Sequence, residues 1–313
     1  MPAHSVGMSE FDWIARYFAP LVTTERAAGL LDDVAELSSH ARIITTDALV
    51  EGVHFLPSDP IETVARKLVR VNISDILAKG GVPGEALLTL GWPKGRAEAD
   101  LAGFAKALGE ELDHWGASLI GGDTVTAPGG LFLSLTLTGH IATGEHIIRR
   151  SGAKAGDGIW ITGKIGAGGL GLADAVAGRD TAARAHYRVP DIPPLALSRL
   201  LQAHATSSMD VSDGLIADLG KICRASDVGA RVELEAVPLF SDGAALKATL
   251  DACTAGDDYQ CLFTAPQAAQ VYLEQDAIGC SRIGLVTADT ELQLRWQGGI
   301  VALPENTGFD HQA

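Results

Sequence analysis

Residues 61–81 read IETVARKLVRVNISDILAKGG. Asp59-Pro60 precedes the run, and Gly80-Gly81 with Pro83 closes it, so the spacing predicts one long helix from just after Pro60 to Lys79. Val64, Leu68 and Val71 recur at steps of four and three and form its apolar stripe. Asp75 falls four residues further on, on that same face. Upstream, Arg42-Ile43-Ile44-Thr45-Thr46 reads as a strand ending in Asp47. Downstream come a strand over Ala86–Trp92, a helix over Glu98–Trp115, a short strand into Gly121-Gly122-Asp123 and a strand over Leu131–Ile141. Nearer the start, Ser9 is placed to cap a helix with Phe11, Ile14, Ala15 and Phe18 on one face.

Arg149–Asp157 is basic, then small and polar, and leads into a Gly-Asp-Gly turn, which marks a domain junction. Beyond it lie a strand at Ile159–Thr162, a glycine-rich loop and helix, the Pro-rich segment Pro190–Pro194, and a strand reaching Met209-Asp210. Further strands fall near Arg231–Glu233, Gln260–Thr264, Arg282–Val286 and Leu292–Trp296. Alternating strands and helices predict an α/β (α+β layered) chain. The expected units are 1–148 and 149–313, consistent with 313 residues at about 150 per domain.

Composition narrows the function. Hydrophobic residues make up 47% and charged residues 20%, which is globular rather than disordered or fibrous. The net charge is −15, from 39 acids against 24 bases, so a general nucleic-acid face is not expected. Asp outnumbers Glu by 24 to 15, which points to turns, caps and oxygen ligands for hard cations. Cys223, Cys253, Cys261 and Cys280 lack CxxC pairing and read as buried apolar groups in a reducing compartment. Neither a signal peptide nor a membrane span is evident, so the expected location is the cytoplasm.

The candidate chemistry is acidic. A carboxylate on the core side of a helix, as at Asp75, needs a cation or several donors to meet it. Other acids stand at the ends of apolar strands: Asp47, Asp123, Asp210 with Asp213, and Asp257-Asp258. Ligands gather at such ends in α/β layers, although a single strand-end Asp is ordinarily a turn or cap residue. Several acids in one place repel unless Mg²⁺ ions neutralise them, and oxygen-only ligands without His or Cys clusters favour Mg²⁺ over zinc. Mg²⁺ in turn usually arrives with substrate phosphates.

Other motifs leave alternatives open. Gly166-Ala167-Gly168-Gly169-Leu170-Gly171 fits GxGxxG but lacks the second strand and acid of a dinucleotide site. Its glycines serve either close packing or approach to a phosphate. Ser212 lies beside a helix start, where free N–H groups suit phosphate or simple capping. Arg150 offers a donor fork for phosphate or for solvent, and His54 stands in a loop after Glu51-Gly52-Val53.

As whole phrases, these residues resemble the thiamine-monophosphate kinase family. The phrases are Asp32-Asp33-Val34-Ala35, Thr45-Thr46-Asp47-Ala48-Leu49-Val50-Glu51-Gly52-Val53-His54-Phe55, Val71-Asn72-Ile73-Ser74-Asp75-Ile76, and Ile120-Gly121-Gly122-Asp123-Thr124. They continue with Arg150 through Asp157, Met209-Asp210-Val211-Ser212-Asp213-Gly214-Leu215, and Gly256-Asp257-Asp258-Tyr259. The resemblance implies a two-domain fold of the aminoimidazole ribonucleotide synthetase superfamily, its first domain binding ATP and Mg²⁺ and pairing across a homodimer. It implies ATP-dependent phosphorylation of thiamine monophosphate to thiamine diphosphate. By motif position, Asp33, Thr45, Thr46, Asp47, Asp75, Asp123, Asp210 and Asp213 would hold several Mg²⁺ ions. Gly122, Asp123, Arg150 and Ser212 would contact ATP, and His54, Asp257 and Phe309 the thiamine phosphate. Phe309 belongs to the phrase Gly308-Phe309-Asp310-His311, which looks like the family's closing one.

Two departures stand out. Asp257 replaces the family's usual Glu, and Gly166-Ala167-Gly168 replaces a Gly-Asp-Ser loop, which is therefore assigned no ligand. The acceptor would be a phosphate monoester, already an oxyanion, so direct transfer needs no general base. Related enzymes are less consistent with the chain: a selenophosphate synthetase should carry an early reactive Cys, and a hydrogenase maturation protein of this superfamily a terminal one. A non-catalytic nucleotide and metal sensor on the same fold is the rival of another class.

Overall fold

A computed structural model describes residues 31–36, 42–241 and 245–309. The helix expected around Ser9, Phe11, Ile14, Ala15 and Phe18 lies outside the described residues, as do Asp310 and His311 of the closing phrase.

Among the described residues, the first half builds a five-stranded sheet covered on one face by two helices. In chain order these are β1 (Ala35–Glu36), β2 (Arg42–Val50), helix α1 (Ile61–Ala78), β3 (Val82–Pro93), α2 (Glu98–His114), β4 (Ser118–Ala127) and β5 (Phe132–His140). The spatial order is β1-β2-β5-β3-β4, with β3 and β4 parallel and the other pairs antiparallel. Strand β5 shows why the sheet has a core face. Leu133, Leu135 and Leu137 are buried, while the alternating Phe132, Ser134, Thr136 and Thr138 face the other way. On α1 the stripe of Val64, Leu68 and Val71 is buried as its spacing requires.

Two strands run further than the sequence suggested. β2 continues through Asp47 to Val50, and β4 through Asp123 to Ala127, so both acids sit within strands rather than at their ends. Ala48-Leu49-Val50 and Thr124-Val125-Thr126 carry no breaker. The punctuating residues arrive only at Gly52 and at Pro128-Gly129-Gly130.

The second half follows as β6 (Gly158–Thr162), α3 (Ala167–Val176), α4 (Ala182–Arg188), α5 (Leu197–His204), β7 (Ser207–Asp210), α6 (Leu215–Ser226), β8 (Gly229–Glu233), α7 (Leu246–Thr254), β9 (Cys261–Ala265), α8 (Gln270–Gln275), β10 (Cys280–Thr287), β11 (Leu292–Trp296) and β12 (Gly299–Val301). Its seven strands lie in the order β12-β11-β8-β10-β6-β9-β7.

Strands β6 and β9 and the edge strand β7 are buried along their whole length, because this part of the sheet is covered on both faces. Successive side chains serve different cores. Trp160 and Phe263 join the cluster containing Leu68, Ile73 and Leu77 of α1. Ile159, Ile161 and Leu262 join the cluster under α6 with Leu215, Leu219 and Ile222. Helix α1 is thus packed between the two sheets, which puts its polar positions at the junction of both halves.

Candidate active site

Four segments bring acids to that junction. Asp33 precedes β1, Asp75 lies in the last turn of α1, and Asp210 ends β7; oxygen atoms of these three carboxylates all lie within 4.8 Å of one another. Asp47 comes in from β2. Its backbone N–H donates to Asn72 Oδ1 at 3.1 Å, and Thr45, two residues earlier on the same strand face, donates its hydroxyl to Asp75 Oδ2 at 2.5 Å. Ser74 Oγ donates to Asp210 Oδ2 at 2.8 Å. The alternation of β2 turns Thr46 the other way. Its hydroxyl bonds Leu135 O and Thr136 on the opposite face, so that side chain is not part of the cluster.

Electrostatics divides the acids into two kinds. Burial alone would raise the Asp33 carboxyl, but the Lys79 ammonium and Arg150 guanidinium beside it hold it well below the usual carboxylate range. Lys79 is fully buried. It also reaches Asp32 at 3.2 Å and donates to Ser208 O at 2.6 Å. Among the described residues, Asp47, Asp75 and Asp210 have no such cation among their dominant interactions. Burial, then the neighbouring carboxylates, push Asp47 up to about 6 and Asp210 up to about 8, and lift Asp75 well above the ordinary value.

These carboxylates and the Thr45 hydroxyl form an oxygen-only donor set with unbalanced negative charge. That chemistry fits a hard divalent cation such as Mg²⁺ and does not suit zinc.

The other expected residues fall into three groups. Asp213 is linked to the cluster through its repulsion of Asp47, and its carboxylate is paired to Lys221 at 2.5 Å. Asp123 is exposed on β4, its Oδ1 accepting from the Thr124 N–H, and it is not one of the three converging carboxylates. Gly122 beside it has φ of 153°, and a Cβ there would meet Leu88 O at 2.0 Å, so close strand approach explains the glycine.

His54, Asp257 and Phe309 are brought to one region by bonds rather than by sequence proximity. Lys67 Nζ donates to both His54 O at 3.1 Å and Asp257 Oδ2 at 2.5 Å. The Asp257 N–H donates to Ser212 O and the Phe309 N–H to Asp213 O, each at 2.8 Å, which ties these segments to the loop after β7.

Both helix starts that looked ready for phosphate are filled from within. Asp218 Oδ2 accepts from the backbone N–H groups of Ser212, Asp213 and Gly214 at 3.1–3.2 Å. Asp258 accepts from Gly166 N at 2.8 Å and Gly168 N at 3.1 Å. The free N–H groups expected beside Ser212 are therefore taken. The glycine-rich loop is explained by packing: a Cβ on Gly168 would meet Gly256 O at 2.5 Å. Arg150 likewise spends its Nε on Asp33 Oδ1 at 3.1 Å instead of facing solvent.

Sequence reasoning missed Lys67, Ser74, Lys79 and Asp218, and it counted Asp258 among the strand-end acids without its role in filling the glycine-rich loop. Lys79 carried a signal, since it stands one turn beyond Asp75 on the same helix face. A lysine ordinarily marks the wet face of a helix, so the spacing went unused.

Residues 28–141 match the family described as AIR synthase related protein, N-terminal domain, and residues 154–297 match its C-terminal domain. The class is thus a two-domain AIR synthase-related protein. The chain is 41% identical over 267 residues to the thiamine-monophosphate kinase of Caulobacter vibrioides, covering 80% of this chain and 75% of that one. It is 35% identical over 324 residues to the thiamine-monophosphate kinase of Escherichia coli K12, covering 97% and 98%. The solved complex of AaThiL with AMPPCP and TMP superimposes with a TM-score of 0.81 at 26% identity, over 97% of each chain. The chain belongs to the thiamine-monophosphate kinase family.

Proposed function

We propose that this chain transfers the terminal phosphate of ATP to the phosphate of thiamine monophosphate, giving thiamine diphosphate and ADP. The observation that carries this reading is the convergence of Asp33, Asp75 and Asp210 from three separate segments. The family membership and the likeness to a complex with AMPPCP and TMP support it.

Two anionic substrates must approach each other in line, so electrostatics is the main barrier. Asp33, Asp47, Asp75, Asp210 and Asp213 would hold Mg²⁺, with Thr45 beside them, while Thr46, its hydroxyl turned to the opposite face, is left only its backbone to offer. When bound, the ions neutralise phosphate charge. Asp123, exposed on β4, is assigned to an ion arriving with ATP. Gly122 and Ser212 are assigned to the nucleotide, and Arg150 would lend fixed positive charge through its pairing with Asp33. On the acceptor side stand His54, Asp257 and Phe309. The acceptor oxygen is already ionised at neutral pH, so these residues position it and none has to remove a proton.

We further assign 1–148 to nucleotide and ion binding and 149–313 to the second domain. Pairing of two copies through the first sheet is supported by its open apolar face, where Leu87, Leu119, Ile120 and Val125 are exposed. No helix of the described residues is long and apolar enough to cross a membrane. The four unpaired cysteines suit a reducing cytoplasm.

The test is an assay that resolves thiamine diphosphate from thiamine monophosphate, with ATP and Mg²⁺ supplied. Stoichiometric thiamine diphosphate and ADP are expected. ADP release without thiamine diphosphate would overturn the assignment.

A further inference from the structure

Helix α1 and its C-cap position hold two buried lysines, Lys67 and Lys79, and the acidic cluster accounts for only one of them. Lys79 serves Asp33. Lys67 lies eight residues before Asp75, so about 12 Å away along the helix axis, toward the proposed acceptor side. Its side chain is 2% exposed, and its ammonium has three neighbours: Asp257 Oδ2 at 2.5 Å, His54 O at 3.1 Å, and the Tyr187 ring with its centroid at 4.5 Å.

A lysine is costly to bury, and one held in place by two separate loops constrains both of them. The second anchor is on Asp257 itself. Tyr259 donates its hydroxyl to Asp257 Oδ1 at 2.9 Å, so each carboxylate oxygen has its own holder. The backbone there is unusual. Asp257 and Tyr259 both adopt left-handed conformations, with φ of 61° and 49°, which a tyrosine adopts only where its surroundings impose it. The Asp257 N–H to Ser212 O and Tyr259 N–H to Val211 O bonds, both 2.8 Å, help impose it.

We propose that Lys67 is a positioning residue for acceptor recognition: it clamps Asp257 and the His54 loop together, fixing the two sides of the thiamine-phosphate subsite. This rests on the reaction proposed above and names the residue that sets its acceptor geometry. Without the ammonium, Asp257 becomes an unbalanced carboxylate near an incoming phosphate, and the loop of residues 51–55 loses its tie to the second half. The carboxylate cluster around Asp75, about two helical turns away, keeps its own contacts.

The experiment measures KM for each substrate separately in Lys67→Met, which keeps the aliphatic stem and removes the charge. The KM for thiamine monophosphate is expected to rise roughly tenfold or more, and the KM for ATP to stay within about twofold. Lys67→Arg should recover part of the loss, and Tyr259→Phe should raise the same KM by less. In Lys67→Met/Asp257→Asn the rise should not exceed that of the worse single variant, because the two residues act as one unit. An unchanged acceptor KM in folded Lys67→Met overturns the proposal, as does an equal rise for both substrates. If Lys67→Met does not fold, Tyr259→Phe decides, and an unchanged acceptor KM there overturns it. A wild-type protein that makes no thiamine diphosphate overturns the reaction and this inference together. An active wild type with an indifferent Lys67 variant overturns this inference alone.

Discussion

Ser74 Oγ donates to Asp210 Oδ2 at 2.8 Å, joining the helix between the sheets to the end of a strand 136 residues later in the chain. Asp75, the next residue on that helix, faces the same carboxylate. One helical turn therefore contributes both a carboxylate and the hydroxyl that orients its neighbour. Ser74→Ala should leave a buried carboxylate oxygen short of a donor and destabilise the protein by about 1–3 kcal/mol. It should also raise the Mg²⁺ concentration needed for half-maximal turnover. Urea denaturation and a Mg²⁺ titration check both, and a variant matching wild type in both would contradict the assigned role.

Asp75→Asn separates activity from folding. Burial and the surrounding carboxylates disfavour the charged form of Asp75. An amide at that position can still accept from Thr45, and it relieves like-charge repulsion. The variant should melt no lower than wild type in EDTA, while turnover at limiting Mg²⁺ falls roughly 100-fold or more. Circular dichroism melts and coupled ADP release measure the two. Wild-type turnover in a folded Asp75→Asn protein would remove the cation site from the mechanism.

The helix and its Asp75 were legible because a 3.6-residue period states which face is buried. Strands β6, β8, β9, β10 and β11 were legible from short apolar runs between turn residues. The reach of β2 and β4 was not, because an Asp in mid-strand looks like a strand end when its partner strand is unknown. Asp218 and Asp258 were opaque for a related reason. Each fills backbone N–H groups that a sequence reading leaves free for phosphate, and only the folded chain shows them taken. Lys67 was hidden because its two partners lie 13 residues before it and 190 after it.

The pH dependence of metal-free stability has a definite sign. Asp47 near 6 and Asp210 near 8 both stand above the ordinary carboxyl value of 3.8, first through burial and then through neighbouring carboxylates. Groups raised on folding bind more protons in the native state. Their stabilisation is complete below the unfolded value and is lost as pH rises through the folded one. Asp33, held low by Lys79 and Arg150, acts in the opposite sense and only on the acid side. In EDTA the melting temperature should therefore fall as pH rises from about 5 to about 8. Saturating Mg²⁺ should flatten that slope, since it binds the ionised cluster. A slope unaffected by Mg²⁺ would place the titrating acids away from any cation site.

The edge strand β4 makes a prediction about assembly. It lies last in its sheet, and its residues through Thr126 are exposed, including Leu119, Ile120 and Val125. An edge strand of this length with apolar side chains is a hazard unless another chain covers it. A second copy of the same sheet would bury those side chains and the adjoining Leu87 and Phe132 of β3 and β5. Ile120 is 64% exposed and belongs to neither buried cluster, so Ile120→Lys should leave the fold alone while placing a charge in that contact. Light scattering on the purified protein should report a dimer for wild type and a monomer for the variant at micromolar concentration. Because Gly122 and Asp123 follow on the same strand, the monomer should also show a raised KM for ATP. A monomeric wild-type protein would overturn the pairing, and a dimer indifferent to Ile120→Lys would move the interface elsewhere and leave the exposure of β4 without a partner.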